Sequence, residues 1–260
     1  MADLHVRLDE LTAECADLDA MVSGLDEMQW FEDTPSPGWT VATQIAHLAW
    51  TDDAALLAIT DPPAFQDELQ KALQNIDHFV DDGAFARAEQ APEEILKDWR
   101  TTRERLRAAL ASVPDGTKIA WFGPPMSAPS MATARLMETW AHGQDVADTL
   151  GITRTPSERL RSVAHIGVRT RDFSFIVNDR PVPAEEFRVE LTAPDGSMWT
   201  WGPDDAAQRV TGPALDFCLR VTQRRHRTDL ALQAVGPDAS TWLDIAQAFA
   251  GPPGAGRAPR

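Results

Sequence analysis

Residues 131–145 read Met131-Ala132-Thr133-Ala134-Arg135-Leu136-Met137-Glu138-Thr139-Trp140-Ala141-His142-Gly143-Gln144-Asp145, a stretch that fits one helix. Ser130 is placed to cap its start, and Gly151 to end it after Leu150. Glu138 and His142 are four apart, so they stand one turn from each other on a single face. A carboxylate and an imidazole so placed can both reach one cation, and the donor pair suits zinc, with nickel or iron(II) close behind. An ordinary surface Glu–His pair has the same spacing. A third donor is on offer in Thr43-Gln44-Ile45-Ala46-His47-Leu48-Ala49-Trp50, where His47 is flanked by apolar residues. A core histidine would look the same, but two helices each turning a ligand inward is how bundles build metal sites.

The chain has 260 residues, enough for a substantial core and for two modest domains. Its net charge of −16, from 40 acidic against 24 basic residues, argues against nucleic acid or an anionic membrane as partner. No apolar run approaches the roughly 20 residues that span a bilayer. The start, Met1-Ala2-Asp3-Leu4-His5, shows no basic-then-apolar signal pattern, so a cytoplasmic protein is expected, as monomer or homodimer. Cys15 and Cys218, the two cysteines, are expected reduced and buried. Lysine is confined to Lys71, Lys97 and Lys118 while arginine, alanine and proline abound, the habit of a GC-rich bacterial genome.

Leu4, Leu8, Leu11, Cys15, Leu18, Val22 and Leu25 recur at steps of three and four and predict a first helix of about six turns. Gln29 to Trp39 is broken by proline and glycine and reads as loop. Thr40 should cap a second helix through His47 to about Ile59, stopped by Asp61-Pro62-Pro63. A third is expected from Phe65 to Phe79, interrupted or shifted at Asp81-Asp82-Gly83. A fourth starts at Pro92, with Ile95, Trp99, Thr102, Leu106 and Leu110 as its buried stripe. Its other face carries Arg100, Arg103, Arg105 and Arg107 and reads as solvated surface. Trp121-Phe122 lie in an apolar loop just before Glu138 and His142, packing onto the core or walling a pocket.

After Gly151 the pattern changes. Pro156 to about Arg171 reads as helix. Phe187 to Ala193 and Met198 to Trp201 alternate around Asp195-Gly196, a β-hairpin by pattern and turn chemistry. Val210 to about Thr222 and Ser240 to Phe249 read as helical, with Leu230 to Val235 as a short strand or bridging segment. The fold class expected is α+β: an antiparallel four-helix bundle over residues 1–152, a small α+β domain over 153–250, and a disordered tail over 251–260.

On these residues the chain resembles the DinB-like metal-binding superfamily, and within it the mycothiol-dependent maleylpyruvate isomerase family of actinobacteria. The resemblance rests on Gly38-Trp39-Thr40-Val41 leading into Ile45-Ala46-His47-Leu48, and on Glu138-Thr139-Trp140-Ala141-His142-Gly143-Gln144-Asp145-Val146-Ala147. It implies a divalent metal, zinc first with nickel or iron as alternatives, held by His47, Glu138 and His142 with one position open. It implies mycothiol as cosubstrate, the metal-bound thiolate attacking an electrophilic small molecule in an isomerase or S-transferase reaction. Arg220 and the cluster Arg224-Arg225-His226-Arg227 resemble the segment where that family has an arginine facing the site. Arg220 and Arg225 are then the catalytic candidates, with Arg224, Trp121 and Trp140 for binding the thiol cofactor. A solvated, basic helix end is the plainer reading of that cluster. Asp145, one turn beyond His142, reads as an acceptor for the ligating imidazole or as a surface acid.

Two other readings stand beside the first. One is a thiol-independent metal enzyme, a hydrolase, lyase or cyclase. The other is a metal- or thiol-binding protein without catalysis. No Ser–His–Asp arrangement, glycine-rich phosphate loop or CxxC pair supports metal-free hydrolysis, kinase chemistry or dithiol redox work.

Overall fold

The computed structural model describes residues 2–75, 78–254 and 256–260. It divides into two units, Met1–Thr153 and Arg154–Arg260. The first runs α1 (Ala2–Val22), a one-turn α2 (Glu27–Trp30), α3 (Val41–Thr60), α4 (Pro62–Gln74), α5 (Phe79–Ala88), α6 (Pro92–Ser112) and α7 (Ala128–Thr149). The long helices α1, α3, α6 and α7 make the bundle, each packing along its neighbours. All of Leu4, Leu8, Leu11, Cys15, Leu18 and Val22 are buried on α1, and all of Ile95, Trp99, Thr102, Leu106 and Leu110 on α6. Ion pairs set the α1–α6 direction: Arg100 and Arg103 hold Asp19, whereas Arg107, further along α6, reaches back to Asp9. Higher numbers on one helix meet lower numbers on the other, so the two are antiparallel. The arginine face of α6 is thus tied largely to α1.

One apolar cluster fills an end of the bundle, with Leu4 and Leu8 of α1, Ala54 to Ala58 of α3, Leu106 and Leu110 of α6 and Met131 of α7. The loop after α6 closes over it. Ile119 and Met126 exchange backbone hydrogen bonds, and Trp121 stacks on Phe65 at 6.2 Å. Gly83 of α5 lies against Trp50, whose ring would stand 2.5 Å from any Cβ placed there, so α5 can approach α3 only with glycine at that position.

Several boundaries differ from expectation. The cap of α7 is Ser127 rather than Ser130: the Ser127 hydroxyl accepts from Ser130 N–H, and Pro129 is tolerated within the first turn. Gln29 and Trp30 lie in α2, where Asp26 and Gln29 cap each other, so only the residues after Trp30 are loop. The expected helix from Phe65 to Phe79 is two helices, α4 and α5, broken before Phe79, with Asp81 to Gly83 inside α5. Ile76 and Asp77, within that expectation, lie outside the described residues. Asp61, which ends α3, also caps α4, and the prolines that stop one helix begin the next.

The second unit contains α8 (Leu160–Arg169), α9 (Arg171–Val177), β1 (Phe187–Thr192), β2 (Met198–Trp201), β3 (Gln208–Pro213), α10 (Ala214–Val221), β4 (Gln233–Val235) and α11 (Pro237–Ile245). The sheet order is β2-β1-β3-β4, with β1 and β3 parallel and the other pairs antiparallel. The hairpin forms as expected, Thr192 opposite Met198, with Gly196 at φ 86° in its turn. Val210 to Pro213, expected as helix, is strand β3, and the helix starts only at Ala214. The expected helix over Pro156 to Arg171 begins later, at Leu160, and α11 begins at Pro237 and ends before Phe249. Trp242 and Phe217 are fully buried and meet edge-on in this unit's core. No secondary structure occurs among the described residues after Ile245, and no described helix is long and apolar enough to cross a membrane.

Candidate metal centre

Helix α3 is largely apolar, and most of its residues are buried. A polar side chain in such a helix must find a partner inside the protein. His47 and Gln44, one turn apart, face α7, and the pairs Gln44–His142, His47–Glu138 and Asp52–Arg135 show α3 and α7 running antiparallel. The structure brings together His47, Glu138 and His142: one donor atom from each lies within 4.8 Å of the others. Glu138 Oε2 is 3.2 Å from His142 Nε2 and 3.8 Å from His47 Nε2. A tetrahedral cation with bonds of 2.0–2.1 Å has its ligands about 3.4 Å apart, so the three donors are spaced for one ion.

His47 is 6% exposed and His142 9%, while the Glu138 side chain keeps 22%, so the carboxylate is the open side. Burial, reinforced by neighbouring His142, pushes the His47 imidazole down to about 4, and it is neutral at pH 7. Burial alone would raise Glu138, but the facing imidazoles of His142 and His47 outweigh it and hold the carboxyl well below the usual range. Two imidazoles and one carboxylate are a metal's donor set. His47 also lacks hydrogen bonds: its Nδ1 is buried with none among the described residues, and 3.8 Å is too long for Nε2.

Trp39 covers the trio, its ring stacked on His142 at 5.8 Å and tilted over His47 at 5.3 Å, with Phe85 edge-on behind it at 6.2 Å. Beneath lies the pair Arg135–Asp52, 2.7 Å apart, the arginine also donating to Thr51. Burial raises the Asp52 carboxyl and the Arg135 charge draws it back.

Trp121 packs on Phe65 and Phe122 of the apolar cluster. Trp140 is buried two residues before His142, roughly 200° round the helix from it. Arg220 of the second unit donates to the carbonyls of Leu243 and Asp244, Arg224 to Thr222 O and Arg225 to Arg224 O. Asp145 is completely buried, not a surface acid, and accepts from Ser36. Sequence reasoning missed Gln44, whose Oε1 meets His142 Nδ1. Its signal was an amide one turn before His47 amid apolar residues. Both cysteines are free and buried as expected, and burial pushes the Cys15 thiol up to about 12 and Cys218 higher still. Neither can serve as a nucleophile.

The mycothiol maleylpyruvate isomerase N-terminal domain family matches residues 11–147, and the family described as wyosine base formation matches residues 183–233. Uncharacterized proteins from two strains of Mycobacterium tuberculosis are 60% identical over 257 residues, covering 99% of this chain and 100% of theirs. Crystal structures of the mycothiol-dependent maleylpyruvate isomerase and of a histidine-to-alanine mutant of it superpose with a TM-score of 0.59. They cover 90% of this chain and 95% of theirs at 16% identity, a likeness of fold.

Proposed function

This chain belongs to the mycothiol maleylpyruvate isomerase N-terminal domain family, and from that premise we propose that it is a metal-dependent enzyme acting with a low-molecular-weight thiol, as an isomerase or S-transferase on an electrophilic small molecule. The observation that carries the proposal is the convergence of two largely buried imidazoles and one carboxylate, one donor atom from each lying within 4.8 Å of the others. His47, Glu138 and His142 would hold the ion, zinc by the nature of the donors, and leave a coordination position for an external ligand. A divalent cation there would supply the Lewis acidity that keeps a thiol, ordinarily with a pKa near 8.5, ionised at neutral pH.

The protein's own side chains do the rest. Trp39 and Phe85 limit water at the imidazoles. The thiol must come from outside, because both cysteines are buried with raised pKa values; mycothiol, named by the family, is the one proposed. Anionic groups on thiol or substrate call for a guanidinium. Arg220, Arg224 and Arg225 are proposed for that task, Arg220 with less freedom because it already donates to two carbonyls.

Metal analysis of purified protein, followed by titration with mycothiol, tests the reading. Stoichiometric metal and saturable thiol binding are expected, and metal should be lost in His142→Ala with the circular dichroism unchanged. Metal without thiol binding would favour a thiol-independent metal enzyme. Absence of both, or full metal retention by His142→Ala, would overturn the assignment.

A further inference from the structure

We propose that Gln44 is a positioning residue: its side-chain carbonyl fixes the proton of His142 on Nδ1, so that Nε2 turns a bare lone pair toward the cation. The inference rests on the proposed metal site and adds a residue to it.

The direction of each bond follows from atoms that can only donate or only accept. Thr34 has one hydroxyl proton, and its Oγ1 lies 2.7 Å from the carbonyl oxygen of Trp39, which cannot donate. That proton therefore points at Trp39. Oγ1 is left as an acceptor, taking Ser36 N–H at 3.3 Å and Gln44 Nε2 at 2.9 Å. With its amino group turned to Thr34, Gln44 presents Oε1 to His142 Nδ1. An amide oxygen only accepts, so Nδ1 bears the proton. In the neutral ring Nε2 is then the unprotonated nitrogen, and it lies 3.2 Å from Glu138 Oε2, on the side where the cation would be held.

The reversed amide fails on the same ground. Thr34 would have to donate to Gln44, leaving its oxygen 2.7 Å from Trp39 O with no proton between. The loop before α3 thus acts twice, since Trp39 also stacks on the imidazole that Thr34 orients through Gln44. Gln44 is fully buried and held at both ends, which suits it to set a tautomer rather than to bind substrate.

The test uses the full chain, zinc with a competing chelator, and nitrogen-15 NMR of the histidine rings. In wild type, metal-free at pH 8 and zinc-loaded, His142 should carry its proton on Nδ1. Gln44→Met, similar in volume but without the carbonyl, should weaken zinc binding by about 10–100-fold. Gln44→Glu, which still accepts from Nδ1–H, should restore affinity to within about tenfold of wild type. Loss of packing alone predicts neither the NMR signature nor that rescue. Should Gln44→Met fail to fold by circular dichroism, Thr34→Val must weaken zinc binding in the same direction. A lone pair on Nδ1 in wild type, or undiminished zinc affinity in Gln44→Met or in Thr34→Val, would overturn the inference. A wild type that holds no zinc yet shows Nδ1–H would overturn the metal reading and leave the Gln44 bond standing.

Discussion

Arg135 and Asp52 form an ion pair with almost no water around it, the two residues being 2% and 4% exposed. Such a pair adds little over an apolar replacement, because the cost of desolvating both ions offsets their attraction. Removing one member is another matter, since it strands a buried charge. Arg135→Met is expected to lose about 3–5 kcal/mol in urea unfolding, and Arg135→Met with Asp52→Leu to recover most of it. A double mutant no more stable than the single would show that the pair stabilises by itself. At this scale the donors were legible and their supports were not. Glu138 and His142 announce themselves by spacing four on one helix, and His47 by its apolar setting. Gln44 shares the apolar setting of His47, but Thr34 and Asp52 carry no such mark, because each finds its partner across a loop or a helix pair that no local spacing encodes.

Between elements, Asp19 of α1 takes hydrogen bonds from Arg100 at 2.8 and 2.5 Å and from Arg103 at 2.6 Å, a clamp between α1 and α6. The bond from Arg100, aided by Arg103 against partial burial, lowers the Asp19 carboxyl below its ordinary 3.8. A lowered folded-state value means the clamp stabilises fully above the unfolded pKa and fades as pH falls through the folded one. Asp19→Asn should therefore destabilise the protein at pH 7, by about 1 kcal/mol after allowing for solvent screening. The gap to wild type should begin to shrink below about pH 3.8 and go on shrinking as pH falls through the lowered folded-state value. A gap that stays constant from pH 7 into the acid range would assign the loss to packing instead. Helices whose stripes recur at three and four were legible in advance, as was the hairpin with its Asp195-Gly196 turn. Strand β3 was not: Val210 to Pro213 pairs in parallel with β1, a contact distant in sequence with no turn to signal it. Its β-branched, glycine and proline content was nevertheless a warning against helix.

At the scale of the whole chain, each unit has a core of its own. The first gathers α1, α3, α6 and α7 around an apolar cluster and holds all three proposed metal donors. The second buries Phe217 and Trp242 behind its four-stranded sheet. A chain ending at Thr153 is therefore expected to melt cooperatively and to bind zinc with a stoichiometry like that of the full protein. The prediction follows because Gln44, Thr34, Trp39, Arg135 and Asp52 all stay within it. Turnover is a separate matter, since the guanidinium groups proposed to hold anionic thiol or substrate belong to the second unit. The truncated chain should keep its metal and lose thiol-dependent activity. Full activity in the truncated chain would confine the reaction to the helical unit and leave Arg220, Arg224 and Arg225 to stability or to another partner. Failure to hold zinc would mean that the donors depend on residues beyond Thr153.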